Sequence, residues 1–135
     1  MLLHIPQVLT PAELAGIRQT LDTQGWVDGL HSTGPQAAQV KHNLQLDAAS
    51  PVFQPLSQRI AQALQRHPLF ASAVLPAHML PPMFNRYEGG GHYGNHIDNS
   101  IQTDRFSGQK VRTDVSTTVF LSATDEYDGG ELIVE

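Results

Sequence analysis

Between Asn85 and Asp98 the chain reads Asn-Arg-Tyr-Glu-Gly-Gly-Gly-His-Tyr-Gly-Asn-His-Ile-Asp, closing on His96-x-Asp98. In extended backbone, residues two apart project from the same face, so one imidazole nitrogen and one carboxylate can converge on a single point. Neutral imidazole with carboxylate suits a borderline divalent cation. The pair makes up two-thirds of the two-histidine, one-carboxylate face that holds non-haem Fe(II) and leaves other positions open. The chain has no cysteine, which excludes thiolate metal sites, disulfides and thiol nucleophiles together.

Other site patterns in the same stretch fare worse. Gly89-x-Gly91-x-x-Gly94 matches a dinucleotide fingerprint, but that fingerprint needs a following helix whose N-terminus meets the pyrophosphate. Asn95 to Thr103 has no helical apolar stripe. His92-x-x-x-His96 has the spacing of a zinc-protease helix but lacks the glutamate that would act as base, and Gly94 disfavours helix by about 1 kcal/mol. No Gly-x-Ser-x-Gly elbow is present to raise a serine nucleophile.

Around the pair, Asn85-Arg86-Tyr87, Gly89 to Gly91, Tyr93 and His96-Ile97-Asp98-Asn99 form an ordered set of spacings. Downstream come Arg112 to Ser122 and Asp128-Gly129-Gly130-Glu131-Leu132, and upstream Val40 to Leu46. Together these segments resemble the PKHD-type (prolyl/lysyl hydroxylase domain) group of Fe(II)- and 2-oxoglutarate-dependent dioxygenases through nearly the whole chain. The resemblance implies a double-stranded β-helix, or jelly roll, with Fe(II) in its mouth held by His96 and Asp98. It also implies 2-oxoglutarate as cosubstrate with Tyr87 near its carboxylate, O2 as oxidant and L-ascorbate as reductant. For Tyr87 the alternative is a half-buried strand aromatic with its hydroxyl in water.

The family pattern asks for a second histidine on a later strand and a basic residue, usually arginine, to pair with the cosubstrate. No histidine follows His96. The resemblance therefore implies an N-terminal portion of a longer protein, with the third ligand, a histidine, and the basic anchor beyond residue 135. Under it the activity is hydroxylation of an unknown small molecule or protein side chain, coupled to decarboxylation of 2-oxoglutarate. The alternatives are a cupin-like metal-binding barrel that does not use 2-oxoglutarate and a non-catalytic fragment.

Leu2 to Leu9 suggests a short apolar strand. Thr10-Pro11-Ala12-Glu13 is a capping box with proline at the first helical position, and Leu14, Ile17 and Leu21 carry the helix towards Gly25. Trp26-Val27 suggests a strand, Gly29 to Gln39 a loop, and Val40 to Leu46 an extended segment. The polar residues of that segment, Lys41, His42, Asn43 and Gln45, are read first as surface and otherwise as lining a pocket. Ser50-Pro51 opens a second helix with Phe53, Leu56, Ile60 and Leu64 on one stripe.

Prolines 76, 81 and 82 then exclude helix interiors. Met79-Leu80 and Met83 to Tyr87 suggest strands, Asp98 to Lys110 a long mobile loop, and Asp114 to Ser122 a β-branched strand. Glu131 to Glu135 begins another strand after a turn at Gly129-Gly130. The fold class is α+β: a helical part, residues 1–74, supporting the first strands of an incomplete jelly roll, residues 75–135, within one domain.

Size and charge narrow the function further. A chain of 135 residues suits one core. A net charge of -5 without a Lys/Arg cluster gives no electrostatic footprint for nucleic acid or anionic lipid. No apolar run approaches the ~20 residues of a membrane span, and the N-terminus lacks a basic leader region. The expected address is cytoplasmic, and the sequence leaves the oligomeric state open.

Overall fold

The structure is a computed structural model that describes every residue except Thr33 and Glu135, and His31 without its side chain. Helix α1, Pro11–Asp22, begins as its letters demand. Thr10 Oγ1 accepts from Glu13 N, and the Glu13 carboxylate accepts from Thr10 N at 3.0 Å. Ile17 and Leu21 are its buried residues.

Helix α2, Phe53–Arg66, buries Phe53, Leu56, Ile60 and Leu64, the stripe expected from their spacing. Its start differs from expectation. Ser50 does not cap it: the Ser50 hydroxyl meets Gln24 Oε1 at 3.3 Å, and the preceding turn is closed by Asp47, whose carboxylate accepts from Ala49 N. Pro68 ends α2 and also opens a third helix, α3, Pro68–Val74, which the apolar pattern did not reveal.

The strands are short and wholly antiparallel. Trp26–Asp28 (β1) pairs with Leu44–Leu46 (β3), which pairs in turn with Asn85–Arg86 (β4). Lys41–His42 (β2) pairs with His92–Tyr93 (β5). Because Leu44 faces Arg86 and His42 faces His92, Asn43 alone stands opposite Tyr87 to Gly91. β4 and β5 thus run along one neighbouring segment, interrupted where the triple-glycine run bulges out. Gly89 and Gly90 there have φ of 57° and 81°, the left-handed region that favours glycine.

Directly opposed residues share a face. Lys41, Gln45, Asn85 and Tyr93 therefore lie on one side of this ribbon, and Leu46 with Trp26 on the other. The apolar side meets the helices. Leu46, Ile17, Leu21, Phe53, Leu56, Ile60, Leu64, Phe70 and Phe84 form one buried cluster, with Phe53 and Phe84 edge to face at 6.3 Å.

Residues 98–110 are not the expected long loop. Ile101–Thr103 (β6) and Lys110–Arg112 (β7) form a hairpin whose turn is tied by Asp104, which accepts from Phe106 N at 2.9 Å and Ser107 N at 3.2 Å. Arg105 and Phe106 at that turn lie against the Phe53 ring.

Other expected strands are absent among the described residues. Leu2 to Leu9 forms no ladder, and Gln7 has a φ of 58°, outside strand geometry. Met79-Leu80 runs into Pro81-Pro82, which lack donors. Asp114 to Ser122 joins no ladder with a described strand. It keeps a strand's alternation, with Val119 and Leu121 packed on the core and Phe120 turned out. Glu131 to Val134 is irregular, and Glu135 lies outside the described residues.

The described fold is thus a mixed α/β arrangement of three helices and three small antiparallel sheets. No helix among the described residues is long and apolar enough to cross a membrane.

Candidate metal-binding site

Tyr93, at the end of β5, sits opposite Lys41 of β2, and the Gly94 N–H donates to the Val40 carbonyl at 2.8 Å. That contact pins the chain just before His96. A Cβ on Gly94 would lie 3.0 Å from the Val40 Cβ, so the close approach favours the residue present. The Gly94 carbonyl in turn meets His96 Nδ1 at 2.7 Å.

Because a carbonyl only accepts, Nδ1 must carry the proton, which commits Nε2 as the atom that faces outward. His96 Nε2 lies 3.1 Å from Asp98 Oδ1. With Nδ1 already protonated, a neutral imidazole presents only a lone pair at Nε2. A lone pair facing a carboxylate oxygen is repulsive unless a proton or a metal cation stands between them.

Two donors about 2.1 Å from one cation and at right angles to each other are about 3.0 Å apart. The observed separation fits that spacing. The side chains are accessible, His96 at 25% and Asp98 at 61%, as an entry path requires. Among the described residues no third histidine, cysteine, aspartate or glutamate joins them in a metal-holding group.

The Tyr93 ring stacks on His96, with centroids 3.7 Å apart and planes 11° from parallel. Burial raises the Tyr93 phenol above its ordinary pKa, and the charges of Asp98 and Tyr87 add to the effect. The Lys41 ammonium lies 5.1 Å from the centre of the same ring. Burial lowers the pKa of that ammonium, with Asp28 opposing the shift.

From Lys41 a chain of polar contacts crosses the face. Lys41 Nζ donates to Ser32 Oγ at 3.2 Å, Ser32 Oγ donates to Gln45 Oε1 at 2.6 Å, and Gln45 Nε2 donates to Asn85 Oδ1 at 2.8 Å. Asn43 Nδ2 donates to the same Asn85 oxygen at 3.2 Å. Lysine has donors only, so its charge sets the direction of the hydroxyl and amide bonds that follow.

The preferred surface reading of Lys41, Asn43 and Gln45 is therefore corrected. All three are buried, at 9%, 8% and 7% exposure, while His42 is exposed. Their i, i+2, i+4 alternation was visible in the letters. The polar groups that make their burial tolerable, from Ser32, Asn85 and Tyr93, come from elsewhere in the chain.

Tyr87 is half exposed, and among the described residues its hydroxyl has no hydrogen-bond partner. His92 lies across the ladder from His42, with ring centroids 6.0 Å apart, on the opposite face from Tyr93. It therefore shares no face with His96 as a zinc-protease helix would require. Among the described residues no helix follows Gly94, which removes the dinucleotide reading.

Helices thus back an antiparallel ribbon whose polar face carries an accessible imidazole–carboxylate pair. No family model matches the chain. A protein of Hyphomonas neptunium named PKHD-type hydroxylase is 59% identical over 135 residues, covering 100% of this chain and 60% of that protein. One from Janthinobacterium sp. (strain Marseille) with the same name is 55% identical over 134 residues, 99% of this chain and 59% of that protein. Another from Paraburkholderia phymatum, also so named, is 52% identical over 136 residues, 100% and 60% respectively. The resemblance to PKHD-type hydroxylases carried by the His96-x-Asp98 stretch thus holds over the whole chain, which spans about 60% of the length of these curated relatives.

Proposed function

We propose that the chain is part of an Fe(II)- and 2-oxoglutarate-dependent dioxygenase that hydroxylates a small molecule or a protein side chain. The observation that carries this reading is the approach of His96 Nε2 to Asp98 Oδ1 at 3.1 Å, with Nδ1 committed to the Gly94 carbonyl. The relatives' name, PKHD-type hydroxylase, supports the same reading. His96 and Asp98 supply two of three protein ligands, and the third, a histidine, comes from the part of the relatives' length that this chain does not span.

Ferrous iron bound there supplies the redox chemistry that couples decarboxylation of 2-oxoglutarate to hydroxylation by O2, with ascorbate keeping the metal reduced. The chain's own residues do the positioning. Gly94 sets the histidine tautomer, the polar face of the ribbon lines the approach, and Tyr87, half exposed, would donate its hydroxyl towards the cosubstrate carboxylate. In this proposal the ribbon is the first part of a jelly roll, its polar face turned inward and its apolar face held by the helices.

An anaerobic titration with Fe(II) and 2-oxoglutarate, followed by visible absorption, tests it. A charge-transfer band that needs both components together is expected, and His96→Ala or Asp98→Asn should abolish it. Metal binding indifferent to 2-oxoglutarate would replace the proposal with a cupin-like metal barrel, and no binding of either would leave a non-catalytic fragment.

A further inference from the structure

The tautomer of His96 is set by Gly94, but one hydrogen bond in the ring plane does not stop the imidazole from swinging about that bond. The plane itself needs a second restraint. The only ring stacked on His96 among the described residues is Tyr93, 3.7 Å away and within 11° of parallel. Tyr93 is in turn the ladder partner of Lys41, whose ammonium lies 5.1 Å from the same ring centre.

We infer that Tyr93 is the positioning residue for His96. Its ring face, backed by Lys41 on β2, fixes the plane in which Nε2 meets the metal shared with Asp98. The inference rests on the metal-site reading proposed above.

The hydroxyl plays no part in this role, because stacking uses the ring face. The phenylalanine variant should therefore behave as the parent, whereas a non-aromatic residue of similar bulk should not. Groups that orient a ligating histidine typically change metal affinity by about 10- to 100-fold when removed. A side chain that mattered only for folding would show no rescue by phenylalanine and no spectroscopic mark on His96.

Two measurements on the full chain decide the matter. In the metal-free protein, the His96 ring CH signals, assigned through His96→Ala in a 13C-histidine-labelled sample, should be displaced upfield by the stacked ring. Tyr93→Phe should keep that displacement, and Tyr93→Leu should lose it. With Co(II) alone as probe, Tyr93→Leu should bind about 10- to 100-fold more weakly than the parent, and Tyr93→Phe close to the parent value.

Tyr93→Val, which keeps strand propensity, is the second ring-less variant should the leucine not fold. An unmoved His96 signal, or unchanged Co(II) affinity, in a folded ring-less variant overturns the inference. If His96→Ala itself leaves Co(II) affinity unchanged, the metal-site reading falls and takes this role with it. If His96→Ala abolishes binding while Tyr93→Leu does not weaken it, only the positioning role falls.

Discussion

Replacing Gly29 by alanine probes the buried polar face without touching the metal pair. A Cβ there would lie 1.8 Å from Asn43 Oδ1, 2.9 Å from Asn43 Cγ and 3.1 Å from the Asn43 backbone oxygen. The first overlap cannot be absorbed, so the Asn43 side chain must rotate away, breaking its 3.2 Å bond to Asn85 Oδ1.

Asn43 is 8% exposed, and a buried amide deprived of its partner costs about 1–3 kcal/mol. An off-rotamer side chain adds about 0.5–1.5 kcal/mol. Stiffening of the unfolded chain by alanine offsets about 0.4–1 kcal/mol. The net expectation is a loss of about 0.5–4 kcal/mol, from the difference of these contributions.

Urea unfolding followed by the fluorescence of Trp26, the single tryptophan and one packed against the core, measures it. The same measurement on Asn43→Ala and on the double variant closes a cycle. Alanine at 43 leaves no amide to collide with, so the Gly29→Ala penalty should shrink in that background. A single variant as stable as the parent, or a double variant whose losses simply add, would refute the account of this face.

Three further outcomes follow from the fold. The Arg66 guanidinium, then the Thr10 N–H and hydroxyl, lower the Glu13 carboxyl from 4.5 to about 2. A carboxyl depressed on folding stabilises the protein above its unfolded pKa and loses that contribution as pH falls through the folded value. The stability difference between the parent and Glu13→Gln should therefore be full at neutral pH, narrow below pH 4.5 and close near pH 2, as read by urea midpoints; a difference constant with pH would contradict it. Phe53, 1% exposed and touching Phe84, should cost about 3–5 kcal/mol on replacement by alanine. Phe120→Ser, at a side chain 56% exposed, should fall within about 0.5 kcal/mol of the parent, and thermal melts of the two variants compare them directly.

What could be read from the letters was local. The Thr10–Glu13 capping box and the Phe53, Leu56, Ile60, Leu64 stripe depend on residues a few positions apart, and both stand in the structure. The convergence of His96 and Asp98 needed only one intervening residue.

What could not be read required a distant neighbour. The hairpin of β6 and β7 is almost wholly exposed, so it carries no hydrophobic period, and it is held by the Asp104 turn against Phe53. Asp114 to Ser122 has the composition of a strand, but a ladder depends on a partner that composition cannot supply. Lys41, Asn43 and Gln45 alternate as a strand should, but whether that face is wet or buried is decided by Ser32, Asn85 and Tyr93.

Asn85 and Tyr93 keep to the same side because each is registered separately, against Gln45 and Lys41, on either side of the glycine excursion. Residues inserted into or deleted from Glu88 to Gly91 would change the size of the outward loop and leave both anchorages in place. The loop beside the imidazole–carboxylate pair can therefore change in length without disturbing the register that holds that pair.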